Sequence, residues 1–452
     1  MNTNDADQMS IHWAHYKRLL ELCTSDAECM KEFLDNPKKV INEEGLSLDA
    51  GTAKEAIEIQ LRGLKTSNTN YYLDLIDRLS RANSHRKELL AKRICADNFS
   101  NQDFKAWFLR QRNMNLYGSS LIRSYTQKMR TYSTPICFEL TKGCSGGCLF
   151  CCLDPQPLEG CFYYNDENAD LWNKILIRTK KIIGDIAGIG MCYFATDPFD
   201  NPDYEKLITD FYRVFGYYPH TTTVKSVVDI NRTRGLMQML GEEQLKNAMV
   251  RFSVVSKKQL EKIHRAFTPE ELAYVDLTLN NPESLIGYSI SGRAVNLKKK
   301  LPDEKFFPNY SPVCTIGFVV NMLQRSIRLV APRNSDSGMK VYETVTFKDE
   351  SSYEDAINKL IAKWMKPEIP LDKKICSNNV AYDRSGNYLR IQGDKIHRTI
   401  SLNEATYQSF VRVLEGRTLE ELFEELPATE YEKHNTLEFM QFLYDNGYVD
   451  IA

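Results

Sequence analysis

Thr134-Pro-Ile-Cys-Phe-Glu-Leu-Thr-Lys-Gly-Cys-Ser-Gly-Gly-Cys-Leu-Phe-Cys151 decides how the rest of this chain is read. A short apolar run at 136–140 leads directly into a glycine-rich loop that holds Cys144, Cys148 and Cys151. Apolar, β-branched and aromatic residues bounded by turn formers predict a buried strand. Downstream, short apolar runs recur at 190–195, 221–224, 250–255, 275–279 and 315–320. The intervals 170–186, 203–215, 232–240 and 257–266 carry apolar residues at helical spacing. This alternation predicts an α/β fold with a mostly parallel sheet, and six such units make a partial barrel. Thr268-Pro-Glu-Glu271 has the form of a capping box with proline at the first helical position, which predicts one more helix. In such folds the chemistry gathers at the carboxyl ends of the strands, where the three-cysteine loop falls.

The flanks have other textures. Residues 1–130 read as a helical module, with apolar spacing of three and four at 13–22, 28–34, 53–64, 71–79, 86–94 and 104–109. The barrel is expected over 131–335. Residues 336–375 read as a connection, with linkers at 333–337 and 366–374 around a helix at 353–365. From 376 to 452 a hairpin (388–391 with 396–401), three amphipathic helices (403–414, 418–426, 436–446) and a closing strand at 447–451 suggest a winged helix.

The 452 residues carry 58 Lys and Arg against 60 Asp and Glu, a net charge of −2, so no global field favours nucleic acid or an anionic membrane. The most apolar stretch, 313–323, is interrupted by Asn321 and is too short to span a bilayer. The first residues lack a basic segment followed by an apolar one, so a reducing cytoplasm is the expected setting. Twelve cysteines in that setting need a reason other than disulfides.

Three thiolates spaced C-x3-C-x2-C can bind three irons of a [4Fe–4S] cube and leave the fourth iron open, while Gly143, Gly146 and Gly147 let the backbone aim amides at sulfur. Structural zinc is the alternative. It needs a fourth ligand, yet no second C-x2-C pair occurs and no histidine lies between Arg86 and Pro219.

With Phe150 before the last cysteine, the motif resembles the radical SAM superfamily. That resemblance implies a partial (β/α)6 barrel, one [4Fe–4S] cluster on Cys144, Cys148 and Cys151, and S-adenosylmethionine on the open iron, cleaved to a 5′-deoxyadenosyl radical. It places Phe150 near the adenine. The family's Gly-Gly-Glu-like turn departs here to Ala195-Thr-Asp-Pro198, so Asp197 is the candidate carboxylate; Lys225, Ser253 and Asn280 are candidate contacts by their positions at later strand ends. A narrower similarity runs through residues 138–152, Phe194-Ala-Thr-Asp-Pro-Phe-Asp-Asn-Pro202, Cys314-Thr-Ile-Gly-Phe-Val-Val-Asn321 and Arg328-Leu-Val-Ala-Pro332. These resemble proteusin-type peptide epimerases, which invert L-residues to D-residues within a ribosomally made precursor peptide. The implied partners are that precursor and a one-electron reductant such as flavodoxin or ferredoxin.

Residues 33–48 are similar to leader regions of such precursors; a surface helix ending in a glycine cap accounts for them equally well. The C-terminal unit resembles a peptide-recognition element that captures a leader along an exposed strand. DNA is the competing partner for a winged helix, but residues 376–452 hold 7 basic against 13 acidic residues, a charge of −6.

Inversion asks for hydrogen removal at a peptide α-carbon and hydrogen return from the opposite face, for which a thiol is the natural donor. Cys376, between linker and recognition unit, is the first candidate and Cys314 the second, ahead of Cys152, Cys161 and Cys192. Only Cys314 and Cys376 follow Cys192, so a single cluster is expected. The rivals are another radical SAM maturase, methylating or crosslinking, and a non-catalytic iron–sulfur sensor whose winged helix binds DNA.

Overall fold

The computed structural model describes residues 3–64, 98–117, 133–247, 250–307, 311–333, 335, 337–377, 380–393, 396–425 and 429–452. The helices expected at 71–79 and 86–94 lie outside these residues. The chain opens with α1 (Thr3–Ser25), α2 (Ala27–Asp35), α3 (Pro37–Glu43) and α4 (Ala50–Leu64). Asp26 caps α2 by accepting from the Glu28 amide, and Asn36 both ends α2 and caps α3, with Pro37 at its first turn. These short helices close on a core of Leu19, Leu20, Cys23, Phe33, Val40, Ile41 and Ile57. The leader-like residues 33–48 are therefore folded onto α1, with Phe33 fully buried.

After α5 (Gln102–Tyr117) comes β1 (Thr134–Glu139), then α6 (Asp166–Ile183), α7 (Tyr204–Phe215), β2 (Thr221–Thr223), α8 (Ile230–Asn247), β3 (Val250–Val254), α9 (Lys257–Ala266), β4 (Val275–Leu279), β5 (Thr315–Asn321), β6 (Ser326–Pro332) and β7 (Met339–Thr346). The fold is mixed α/β. β2, β3 and β4 pair in parallel, as do β1 and β5, and Met191 bridges both Cys137 in β1 and His220 beside β2 in parallel. The run expected at 190–195 is reduced to that bridge.

One expected strand is placed differently. Residues 315–321 form β5 beside β1, not beyond β4, and β6 and β7 extend the sheet antiparallel from there. Burial explains it: every residue of β1 and β5 is buried, as central strands require, whereas β4 alternates between buried and half-buried. Gly317 permits the close approach; at its φ of +142° a Cβ would lie 2.0 Å from the Pro135 carbonyl oxygen.

Two further expectations are revised. The Thr268 box forms, Thr268 accepting from the Glu271 amide at 3.2 Å and Glu271 from the Thr268 amide at 2.8 Å, but only turns follow because β4 starts at Val275. The linker expected at 333–337 falls between β6 and β7, where the Arg333 amide donates to the Gly338 carbonyl at 3.0 Å, and α10 (Glu350–Trp364) packs Tyr353, Ile357 and Leu360 into the main core.

The C-terminal unit has its own core around Phe410, Leu422, Met440 and Tyr448. It comprises β8 (Ile375–Ser377), β9 (Ala381–Ser385), β10 (Tyr388–Gly393), β11 (Ile396–Ser401), α11 (Glu404–Leu414), α12 (Leu419–Glu425), α13 (Glu430–Asp445) and β12 (Val449–Ile451). β9, β10 and β11 make an antiparallel meander, and β8 pairs with β12. Buried Asp450 fastens the unit to the sheet, accepting from Arg333 at 2.7 Å, Gln111 at 3.1 Å and Tyr342 at 3.1 Å. No helix among the described residues is long and apolar enough to cross a membrane.

The N-terminal helices dock against β4 and its neighbours. Arg18 donates to the Phe267 and His264 carbonyl oxygens, and the Leu285 amide donates to the Thr24 carbonyl at 2.9 Å. His264 lies at this seam with both ring nitrogens buried and without a hydrogen-bond partner among the described residues. Burial, then Arg18 and Lys17, pull its pKa from 6.5 to about 3. Because the folded value lies below the unfolded one, the stabilising contribution is complete above the unfolded pKa and is lost as pH falls toward the folded one. At pH 5 the group alone should lower stability by about 2 kcal/mol relative to pH 7. Urea midpoints followed from pH 7 to 5 should show this slope, and His264→Leu should flatten it.

Candidate functional site

The three-cysteine loop is built to a fixed path. Thr141–Lys142 pairs antiparallel with Gly160–Cys161, which closes the loop at its base. Gly143 has φ +80°, and a Cβ there would lie 2.1 Å from the Pro157 carbonyl oxygen. The Cys144 amide donates to the Gln156 carbonyl at 3.0 Å, and the Arg293 amide donates to the Cys151 carbonyl at 2.8 Å. The Arg293 guanidinium also holds Asp154 and the Pro155 carbonyl.

The Gly146 amide points at Cys144 Sγ, 3.3 Å away. A Cβ on Gly146 would stand 3.4 Å from Cys144 Sγ and 3.5 Å from Cys148 Sγ, so both sulfurs lie beside this residue, as does Val224 at 3.2 Å. Burial pushes the Cys148 thiol up to about 12, and Cys151 and Cys144 push it the same way. Cys144 is raised by burial, partly offset by the Gly146 amide. Among the described residues no three His, Cys, Asp or Glu side chains converge as donors to one ion. Thiolates on separate corners of a cube stand farther apart than donors sharing a single ion, and the amide-to-sulfur contact at Cys144 suits such a group.

The next turn supplies buried carboxylates. Asp197 accepts from the Phe199 amide at 2.9 Å, Thr223 Oγ1 at 2.8 Å and the Val224 amide at 2.8 Å, tying this turn to the end of β2. Burial raises its pKa despite those bonds. Asp200, which sequence reasoning did not single out, grips the cysteine loop: it accepts from the Ser145 amide at 2.9 Å and Ser145 Oγ at 2.6 Å, and pairs with Lys225 Nζ. Its side chain is wholly buried. Only its place within Asp197-Pro-Phe-Asp200 hinted at it. Glu139, also missed, accepts from the Ala195 amide at 3.1 Å, Asn321 at 3.2 Å and Arg328 at 2.9 Å, joining three strand ends beneath the loop.

Asp200→Ala should leave Ser145 and Lys225 unpaired and cost about 3 kcal/mol. Asp200→Asn, which keeps one acceptor, should cost less. Denaturant unfolding of both variants checks the order.

Cys144, Cys148, Cys151, Asp197 and Lys225 thus come together at one end of the sheet. Phe150 packs with Tyr288, Leu297 and Phe306, and Tyr288 donates to the Asn280 carbonyl at 2.9 Å, so Phe150 and Asn280 share a neighbour. Ser253 lies in β3 opposite Thr278. The two donor candidates are elsewhere. Cys314 stands at the opposite end of the sheet, where its carbonyl accepts from the Thr134 amide, and it packs against an apolar group that includes Cys137, Met191 and Val313, against which Leu153, Tyr193 and Met339 also pack. Leu153 is two residues beyond Cys151, so this apolar group reaches back to the cysteine loop. Burial raises the Cys314 thiol, with Arg251 opposing. Cys376 lies in β8, its sulfur 3.5 Å from the Asp450 carbonyl oxygen, beside Lys340 and Arg333.

No protein-family profile matches the chain, and no solved structure matches it. It is similar to a protein of Sinorhizobium fredii (strain NBRC 101917 / NGR234) described as "Uncharacterized protein y4wI", 34% identical over 253 residues. The match takes in 52% of this chain and 48% of that protein, so the chain spans about half the length of the relative.

Proposed function

We propose that this chain is a radical SAM epimerase that converts L-residues to D-residues in a ribosomally synthesised precursor peptide, on a partial barrel formed by the parallel part of the sheet. The observation that carries the reading is the cysteine loop: three thiols on a glycine path at the end of β1, clamped to the next turn through Ser145 and Asp200. Cys144, Cys148 and Cys151 would hold one [4Fe–4S] cluster, and Phe150, Asp197, Lys225, Ser253 and Asn280 would line S-adenosylmethionine. When bound, this pair supplies one-electron chemistry that ends in a hydrogen-abstracting carbon radical.

The chain's own residues do the rest. Asp197 has three of its acceptor positions filled by Phe199, Thr223 and Val224, which leaves room for one more donor such as an amino group. The Asp200–Ser145 clamp keeps the loop in register with that carboxylate. A thiol, Cys376 or Cys314, returns hydrogen to the α-carbon from the face opposite to abstraction. The C-terminal unit, acidic and built on a three-stranded meander with an open edge at β11, captures the peptide leader; nucleic acid and membrane are not its partners. A cytoplasmic setting with flavodoxin or ferredoxin as reductant suits such a reaction.

Mass spectrometry of a co-expressed precursor in deuterated water tests this. A gain of roughly one dalton per inverted centre is expected from a thiol that exchanges with solvent, whereas methylation adds roughly fourteen and crosslinking subtracts two. A precursor of unchanged mass and all-L composition, under reduction that does release 5′-deoxyadenosine, would overturn the epimerase assignment.

A further inference from the structure

In β6, Ile327 and Leu329 belong to the main core that α5, α6, α7 and α10 cover. Arg328 lies between them, so the alternation of the strand turns its side chain to the other face, where Cys137, Val319 and Val330 form a smaller apolar group. Arg328 stands opposite Val319 of β5, which in turn stands opposite Cys137 of β1. From there its Nη2 donates to Glu139 at 2.9 Å, and the guanidinium lies 5.8 Å from the centre of the Phe194 ring. Glu139 is 6% exposed and is itself fixed by the Ala195 amide and by Asn321, whose Nδ2 also donates to the Thr141 carbonyl at the base of the cysteine loop. Arg328 is 27% exposed, and its Nε and Nη1 have no partner among the described residues. An arginine tethered to the turn that carries Asp197 and to the base of the cysteine loop thereby keeps most of its donors open.

We propose that Arg328 is a substrate-positioning residue, whose open donors bind the backbone carbonyl oxygens flanking the α-carbon to be inverted; the assignment rests on the epimerase reading above. Glu139 balances the charge of the arginine, so the pair offers directional N–H groups without net charge. Such donors match neutral carbonyl oxygens, and a peptide carries one on each side of every α-carbon. The other acceptor this site would receive is the carboxylate of S-adenosylmethionine, for which an uncompensated cation is the better partner. Positioning matters because a peptide α-carbon radical is planar. Hydrogen leaves from one face and returns to the other, so the two flanking amides have to keep one orientation between the steps. Donation to their carbonyl oxygens holds that plane and favours spreading of the unpaired electron over both amides.

The experiment adds the precursor of the deuterated-water measurement, at rising concentration, to the anaerobically reconstituted full chain. Arg328→Lys keeps a cation on Glu139 but not the planar set of donors. For this variant kcat/KM for D-residue formation should fall about tenfold or more, while the half-saturating concentration of S-adenosylmethionine and the release of 5′-deoxyadenosine without precursor stay within about twofold. If that variant takes up no iron, Arg328→Met combined with Glu139→Gln replaces it, leaving no unpaired buried charge and carrying the same expectations. An unchanged kcat/KM would make Arg328 a structural partner of Glu139 and overturn the assignment. A rise of about tenfold in half-saturating S-adenosylmethionine would hand the guanidinium to that carboxylate and overturn it too. A wild-type chain that forms no D-residues defeats the epimerase reading, whereas wild-type turnover beside a fully active Arg328→Lys defeats this assignment alone.

Discussion

Alanine at any one of Cys144, Cys148 or Cys151 is expected to remove the brown colour of anaerobically purified protein, to bring iron from about four per chain to near zero, and to cut 5′-deoxyadenosine release by about a thousandfold or more. The expectation is sharp because the loop does not depend on its sulfurs for shape. Its path is held by the pairing of Thr141–Lys142 with Gly160–Cys161, by Asp200 on Ser145 and by the Arg293 amide on the Cys151 carbonyl. All three cysteines are only half-buried, so each truncation should change the unfolding free energy of the apo protein, read by urea titration, by no more than about 1 kcal/mol. The measurement is therefore a pair: iron and turnover collapse while apo stability stays. Full iron content in any of the three variants would sink the assignment of the loop.

Cys376→Ser is expected to lower D-residue formation by about a hundredfold or more while 5′-deoxyadenosine is still released, because abstraction survives and hydrogen return does not. Hydroxyl O–H is too strong to donate, so serine tests the sulfur and not the size. The neighbourhood of Cys376 makes the test specific. Its sulfur leans on the Asp450 carbonyl, and β8 is held to β12 through backbone bonds that serine keeps. Cys314→Ser is the comparison. That side chain belongs to the apolar group that includes Leu153 and Tyr193, nearer in contacts to the cysteine loop than Cys376 is. Chiral amino-acid analysis of the product from both variants decides between them; if neither loses D-residue content, neither thiol is the donor.

Much of the architecture was legible because local chemistry speaks for it. The strands at 134–139, 250–254, 275–279 and 315–321, the C-terminal hairpin and most helices from 166 to 266 and from 404 to 445 form near their expected limits, but α8 runs seven residues past its expected end and α13 starts six residues before its expected start. Apolar period and turn formers carry that information. The Thr268 capping box misled for a physical reason: a cap satisfies the first amides of a helix but cannot supply the residues to propagate it, and β4 begins too soon. The site was legible in part. Cysteine spacing and glycine pattern marked the loop, but nothing local marks Glu139, and only its closeness to Asp197 in sequence hints at Asp200. A carboxylate earns its role there only by being buried against donors from distant turns.

By itself the sequence determined that strands and helices alternate through the middle of the chain, that three thiols share one glycine loop at a strand end, and that an acidic unit of separate texture follows. Those are consequences of spacing, which a chain carries wherever it folds. The tertiary structure alone decided that residues 315–321 lie beside β1, that Asp200 clamps the cysteine loop, that Phe33, Val40, Ile41 and Leu46 share a core with α1, and that Cys314 directly precedes β5 while Cys376 lies in the C-terminal unit. Each of these depends on which surfaces are buried against each other, and burial is a property of the whole packed chain.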